Sequence, residues 1–187
     1  MSDLTPGQKP ICAAMSHGNT KSQGKRLHID WAVHAGAWSA FEPFEQMIVQ
    51  ITAAFDLVDL DWPAAKCEAA LALSNDKAVH ELNHSFRGMD KTTNVLSFPV
   101  ACIVQPNSDD LRFIGDVIVA SETVLREAQD RDLDPYHHLT HLIIHGILHL
   151  LGHDHEDPAE AAVMEAIEIR MLAGLGIGDP YGEHLCQ

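Results

Sequence analysis

His141-Leu-Ile-Ile-His145-Gly-Ile-Leu-His149-Leu-Leu-Gly-His153-Asp-His155 carries five of the chain's 13 histidines, and His137 and His138 stand just ahead of it. At 3.6 residues per turn, His138, His141, His145 and His149 fall along one helical face. Asp134-Pro135 supplies the start of that helix, and Gly152 its stop, since glycine accepts the left-handed conformation common just past a C-terminus. His145 and His149, at i and i+4, point two imidazoles at one ion. The chain then turns back and offers His155 as a third ligand. Three histidines without a fourth protein ligand point to a catalytic ion with an open position. Zinc suits imidazole ligands best, while nickel, cobalt and iron also accept this set. His138, His141 and His153 read as supporting or surface residues, and Asp154 as either an orienting partner or a turn residue.

Working outward, the spacing places a strand over about 27–37, through Ile29, Trp31 and Val33. A helix follows through Phe44, Met47, Ile48, Ile51, Phe55 and Val58, broken by Asp61-Trp-Pro63. Cys67 to Leu73 reads as a strand. Ser74-Asn-Asp76 begins a helix to about Phe86, with Arg87-Gly88 closing it. Thr93 to Phe98 and Phe113 to Val119 read as two more strands, the second interior, paired as a hairpin around a turn at Pro106–Asp110. Ser121 caps a helix to about Arg131, and Asp157-Pro158-Ala-Glu160 opens a last one to about Ala173. The layout is α+β: a small mixed sheet of about four strands packed with about five helices, the metal site lying on a C-terminal helix and the loop after it. Residues 26–178 make one domain, between a disordered tail over 1–25 and a loose end over 179–187.

The balance of 12 basic against 27 acidic residues gives a net charge of −15. That argues against a generic nucleic-acid binder, though a local groove of cations can still hold phosphate. Residues 1–26 differ, with Lys9, Lys21, Lys25 and Arg26 against Asp3 alone. No apolar run reaches the length of a membrane span, and the N-terminus has no signal pattern, so a cytoplasmic protein is expected. Cys12, Cys67, Cys102 and Cys186 are scattered and read as reduced thiols.

A helical zinc peptidase places its general-base glutamate directly after the first histidine. Here that position is Gly146, and Glu81, Asp116 or Asp154 would have to substitute. A zinc peptidase or amidase is therefore only a runner-up reading.

Four ordered motifs carry a resemblance. These are Leu82-Asn83 through Phe86-Arg87-Gly88, Thr93-Asn-Val-Leu-Ser-Phe-Pro99, Gly115-Asp116-Val-Ile-Val119 and His145-Gly-Ile-Leu-His149-Leu-Leu-Gly-His153-Asp-His155. Over roughly residues 27–175 the chain resembles the YbeY family of rRNA maturation endoribonucleases. The resemblance implies that His145, His149 and His155 bind zinc and that Arg87 acts at the active site. It also implies cytoplasmic cleavage of single-stranded RNA in 16S precursor 3′-end maturation and quality control of the small ribosomal subunit. A ribosomal protein or an assembly GTPase is a candidate recruiting partner, and a non-catalytic ribosome assembly factor with a structural metal is the third reading. Lys91 and Arg112 are candidate phosphate contacts. The sequence departs from the family's usual tyrosine at His153 and aspartate at Asn94, neither of them a proposed ligand.

Overall fold

The computed structural model describes residues 22–23, 26–100 and 111–182. The strands are β1 (Ser22–Gln23), β2 (Leu27–Val33), β3 (Lys66–Ser74), β4 (Val95–Pro99) and β5 (Leu111–Ala120). The helices are α1 (Phe44–Phe55), α2 (Asp76–Arg87), α3 (Ser121–Asp130), α4 (Pro135–Leu150) and α5 (Pro158–Gly174). A 3-10 turn, Ser39–Phe41, precedes α1.

Every residue of β3 from Ala69 to Ser74 is buried, so this strand needs cover on both faces. It takes the centre of a sheet ordered β1-β2-β3-β5-β4. β2, β3 and β5 are parallel, while β1 and β4 run antiparallel at the edges. Parallel neighbours cannot be joined by a tight turn, and α1 makes the crossover from β2 to β3. The expected hairpin is present as β4 and β5, in register from Val95↔Val119 to Pro99↔Gly115. Its expected turn at Pro106–Asp110 lies outside the described residues.

Side chains alternate across the sheet and divide the core in two. Leu71, Leu73, Val117 and Val119 join α1, α4 and α5 in the larger cluster, through Met47, Ile51, Ile143, Ile147 and Met171. Ala72, Leu96, Ile118 and Ala120 face the other way and are covered by Val79 of α2. The α+β class and the mixed sheet read from the sequence are what the fold shows.

Three local details differ from the sequence reading. β2 ends at Val33, not near Ala37, because His34 and Ala35 both donate to the Leu73 carbonyl and Gly36 turns the chain at φ +96°. The cap of α3 is Ala120, with Ser121 one residue inside the helix, where its hydroxyl accepts from the Ala37 N–H. A fifth strand, β1, pairs with β2 inside the segment expected to be a tail; the rest of 1–25 lies outside the described residues. Cys67 is buried, its thiol donating to the Ala64 carbonyl at 3.9 Å, and the other three cysteines fall outside the described residues.

Candidate metal centre

The helix α4 begins as the sequence indicates, with the Asp134 carboxylate accepting the His137 N–H and Pro135 in the first turn. It lies on the sheet at Gly146. A Cβ there would stand 2.8 Å from Val117 Cγ1 and 3.1 Å from Ser97 Oγ. The Ser97 hydroxyl donates to the Gly146 carbonyl at 3.0 Å, fixing the approach. A peptidase base at this position would therefore point into the sheet and force α4 off it. The other candidate bases do no better. Glu81 is exposed and salt-bridged to Lys77, Asp116 faces the α2 side of β5, and Asp154 accepts the backbone N–H of His155 at 2.7 Å.

With Gly146 toward the sheet, His145 and His149 point sideways toward α5 and the turn that follows α4. His155 comes back from that turn, and one ring nitrogen from each of the three lies within 4.8 Å of the others. The ring centroids of His145 and His149 are 4.6 Å apart, and that of His155 stands 5.3 and 5.0 Å from them.

Two of these rings have a fixed tautomer. His145 Nδ1 is 2.8 Å from Glu168 Oε1, and His149 Nδ1 is 2.9 Å from the His153 carbonyl. An ionised carboxylate and a carbonyl only accept, so both Nδ1 atoms carry the proton and donate it. Both Nε2 atoms are then bare lone pairs, and they face each other at 3.1 Å. Burial, and then the repulsion a protonated His145 would add, hold His149 below the ordinary imidazole value, so a proton on His149 is a poor way to relieve this contact. A shared cation relieves it. Metal–nitrogen bonds of about 2.0–2.1 Å at a tetrahedral angle put two nitrogens about 3.3 Å apart, close to the separation seen. The three histidines fit a divalent ion, and His155 stands on the exposed side of the cluster.

Glu168, on α5, had no place in the sequence reading. Its carboxylate is fully buried and accepts from His145, from His141 Nε2 at 2.7 Å and from the Tyr181 hydroxyl. Burial alone would raise its carboxyl, but these hydrogen bonds outweigh burial and hold it at about 2. The sequence signal was a glutamate among Met164, Met171 and Leu172 on the buried face of α5. His141, His145 and Glu168 also form a compact triad, but hydrogen bonds already occupy its polar atoms. A cleft of about 290 Å³ opens beside His145 and His155, walled by Met164, Glu168 and Tyr181.

The remaining histidines divide as follows. His138 is buried against Glu127 at 2.9 Å, His137 is exposed, and His153 serves through its carbonyl. Arg87 ends α2 and donates to the Ser97 carbonyl at 3.2 Å, so two hydrogen bonds link it to the residue after His145. Lys91 lies exposed in the loop after α2, where its carbonyl accepts from Asn83. Arg112 sits near the start of β5, in register with Cys67. Neither is brought to the histidines by a described contact.

The family model for endoribonuclease YbeY matches residues 40–176. The chain belongs to this family. A YbeY endoribonuclease of Rhodopseudomonas palustris is 42% identical over 186 residues, covering 97% of this chain and 96% of its own. One from Azorhizobium caulinodans is 46% identical over 156 residues, covering 83% and 96%. A solution structure from Thermotoga maritima aligns with 82% of this chain and 99% of its own, at 21% identity and a TM-score of 0.46. Among the described residues, no helix is long and apolar enough to cross a membrane.

Proposed function

We propose that the chain is a zinc-dependent, single-strand-specific endoribonuclease acting in the cytoplasm. Its task is 16S rRNA 3′-end maturation and quality control of the small ribosomal subunit, where a ribosomal protein or assembly GTPase recruits it. The observation that carries the chemical part is the pair of Nε2 lone pairs at 3.1 Å, with His155 as the third donor on an open side. The YbeY relatives named as endoribonucleases support the RNA substrate.

When bound, zinc supplies Lewis acidity toward a water or a phosphoryl oxygen. The rest falls to the protein. Glu168 and the His153 carbonyl each accept an Nδ1–H and keep His145 and His149 aimed through Nε2, so the rings need no reorganisation to act as ligands. Residues 154–165 contain Asp154, Glu156, Asp157, Glu160 and Glu165 and no lysine or arginine. In this reading the ion and Arg87 supply the positive charge for the phosphate. The Arg87 guanidinium would hold the scissile phosphate through paired N–H donors and stabilise charge as it builds in the transition state. A net charge of −15 fits an enzyme that meets its RNA on a ribosomal particle rather than by long-range attraction.

The test is cleavage of single-stranded and duplex RNA of one sequence by purified protein. Cleavage confined to the single strand, lost on chelation and lost in Arg87→Glu with zinc retained, is the expected result. Zinc-dependent cleavage of a peptide library with RNA left intact would revive the peptidase reading.

A further inference from the structure

The chain beyond α5 reaches back over the metal centre. Arg131, just past α3, donates to the Pro180 carbonyl at 3.0 Å, and the Asp179 carboxylate accepts the Tyr181 N–H at 2.9 Å. Those contacts set Tyr181 with its ring against His141, centroids 5.6 Å apart, and its hydroxyl on Glu168 Oε2. Glu168 Oε1 is the atom that accepts from His145 Nδ1. A line of contacts therefore runs from the surface arginine, through Pro180, Tyr181 and Glu168, to a proposed ligand.

We infer that Tyr181 is a positioning residue that sets the affinity of the metal centre by fixing Glu168 against His145. This rests on the metal reading of the proposed function. A carboxylate buried between two helices can rotate about its last torsion unless both oxygens are engaged. Oε2 is engaged by His141 and Tyr181, which leaves Oε1 directed at His145. Without the tyrosine hydroxyl, Oε2 keeps one donor, and the carboxylate can turn toward His141 and loosen its hold on His145. The His145 ring would then spend part of its time with Nε2 turned away from its partners, and the ion would bind more weakly. Partners that orient a metal-bound histidine in this way commonly change affinity by about 10- to 100-fold. Tyr181 is 43% exposed, so removing its hydroxyl opens no cavity in the core.

The experiment measures the zinc dissociation constant of the full chain by competition with a chromophoric chelator, together with the melting temperature of the metal-free protein. Tyr181→Phe keeps the ring against His141 and is expected to weaken zinc about tenfold, with a smaller loss of metal-free stability from the hydrogen bond that Glu168 gives up. Arg131→Gln, a surface change, is expected to weaken zinc by a smaller factor in the same direction. Zinc affinity within twofold of wild type in both variants would overturn the inference. So would a loss of affinity matched by an equal loss of metal-free stability, which marks a purely structural contact. RNA cleavage at saturating zinc separates the two claims: wild-type protein that binds zinc tightly but cuts no RNA refutes the nuclease reading and leaves the Tyr181 result standing. Wild-type protein that binds no zinc overturns both.

Discussion

Replacing Gly146 with alanine tests whether this glycine marks a close approach of helix to sheet or simply the lack of a peptidase base. In an unobstructed helix, Gly→Ala stabilises by about 1 kcal/mol. Here the new Cβ would stand 2.8 Å from Val117 Cγ1, closer than carbon atoms pack, and Val117 is a branched side chain on an interior strand with little room to move. Overpacking of this kind costs about 1–3 kcal/mol. Less the propensity gain, the net is a loss of up to about 2 kcal/mol, or at most roughly 4–8 °C in melting temperature for a domain of this size. The Ser97–Gly146 hydrogen bond would stretch as α4 lifts, so part of the loss comes from there. Thermal and urea unfolding of metal-free protein measure it without interference from the ion. A variant more stable than wild type by about 1 kcal/mol, the full gain of an unobstructed helix, would show that α4 does not press on β5 here, and the geometric case against a base at this position would fail.

Three further outcomes follow from the same contacts. Burial works to raise the Glu127 carboxyl, but His138 and Asn94 donate to it at 2.9 Å each and hold it below its ordinary value. A depressed carboxyl stabilises above its unfolded value and loses that contribution as pH falls through the folded one. Glu127→Gln should therefore flatten the acid limb of stability against pH, and an unchanged limb would refute the assignment. Asn94→Asp removes the donor and sets a second carboxylate beside Glu127, so it should lower the urea midpoint at pH 7. The deficit should shrink below about pH 4, where carboxylates protonate; a deficit independent of pH would contradict a charge origin. Chelation should lower the melting temperature, because an ion bound only by the folded state contributes about 2.7 kcal/mol at 100 times its dissociation constant. Equal melts with and without zinc would argue against an ion at the three histidines.

Much of the site was legible because the decisive signals were local. A histidine pair at i and i+4, an Asp-Pro start and a glycine stop lie within twenty residues and specify where the rings go. The hairpin of β4 and β5 was legible for the same reason, from alternation and the proline at its end. The parts that escaped depend on contacts distant in sequence. Glu168 meets His145 across 23 positions and Tyr181 meets His141 across 40, and no periodicity links either pair. The cap of α3 was misplaced because the Ser121 hydroxyl serves the Ala37 N–H, 84 residues away, and no donor of its own helix. Asp154, weighed as an orienting partner or a turn residue, accepts the backbone N–H of His155, while the backbone carbonyl of His153 orients His149. A carbonyl has no side-chain signature, so its role was not readable from residue types.

The central claim is that His145, His149 and His155 hold an ion whose open side and Arg87 together cut RNA. Zinc content and single-strand RNA cleavage, measured on the same preparation of wild type, His149→Ala and Arg87→Glu, test it most directly. The account predicts one zinc with cleavage in wild type, loss of both in His149→Ala, and zinc without cleavage in Arg87→Glu. Cleavage that persists in metal-free protein, or in Arg87→Glu at the wild-type rate, would contradict it.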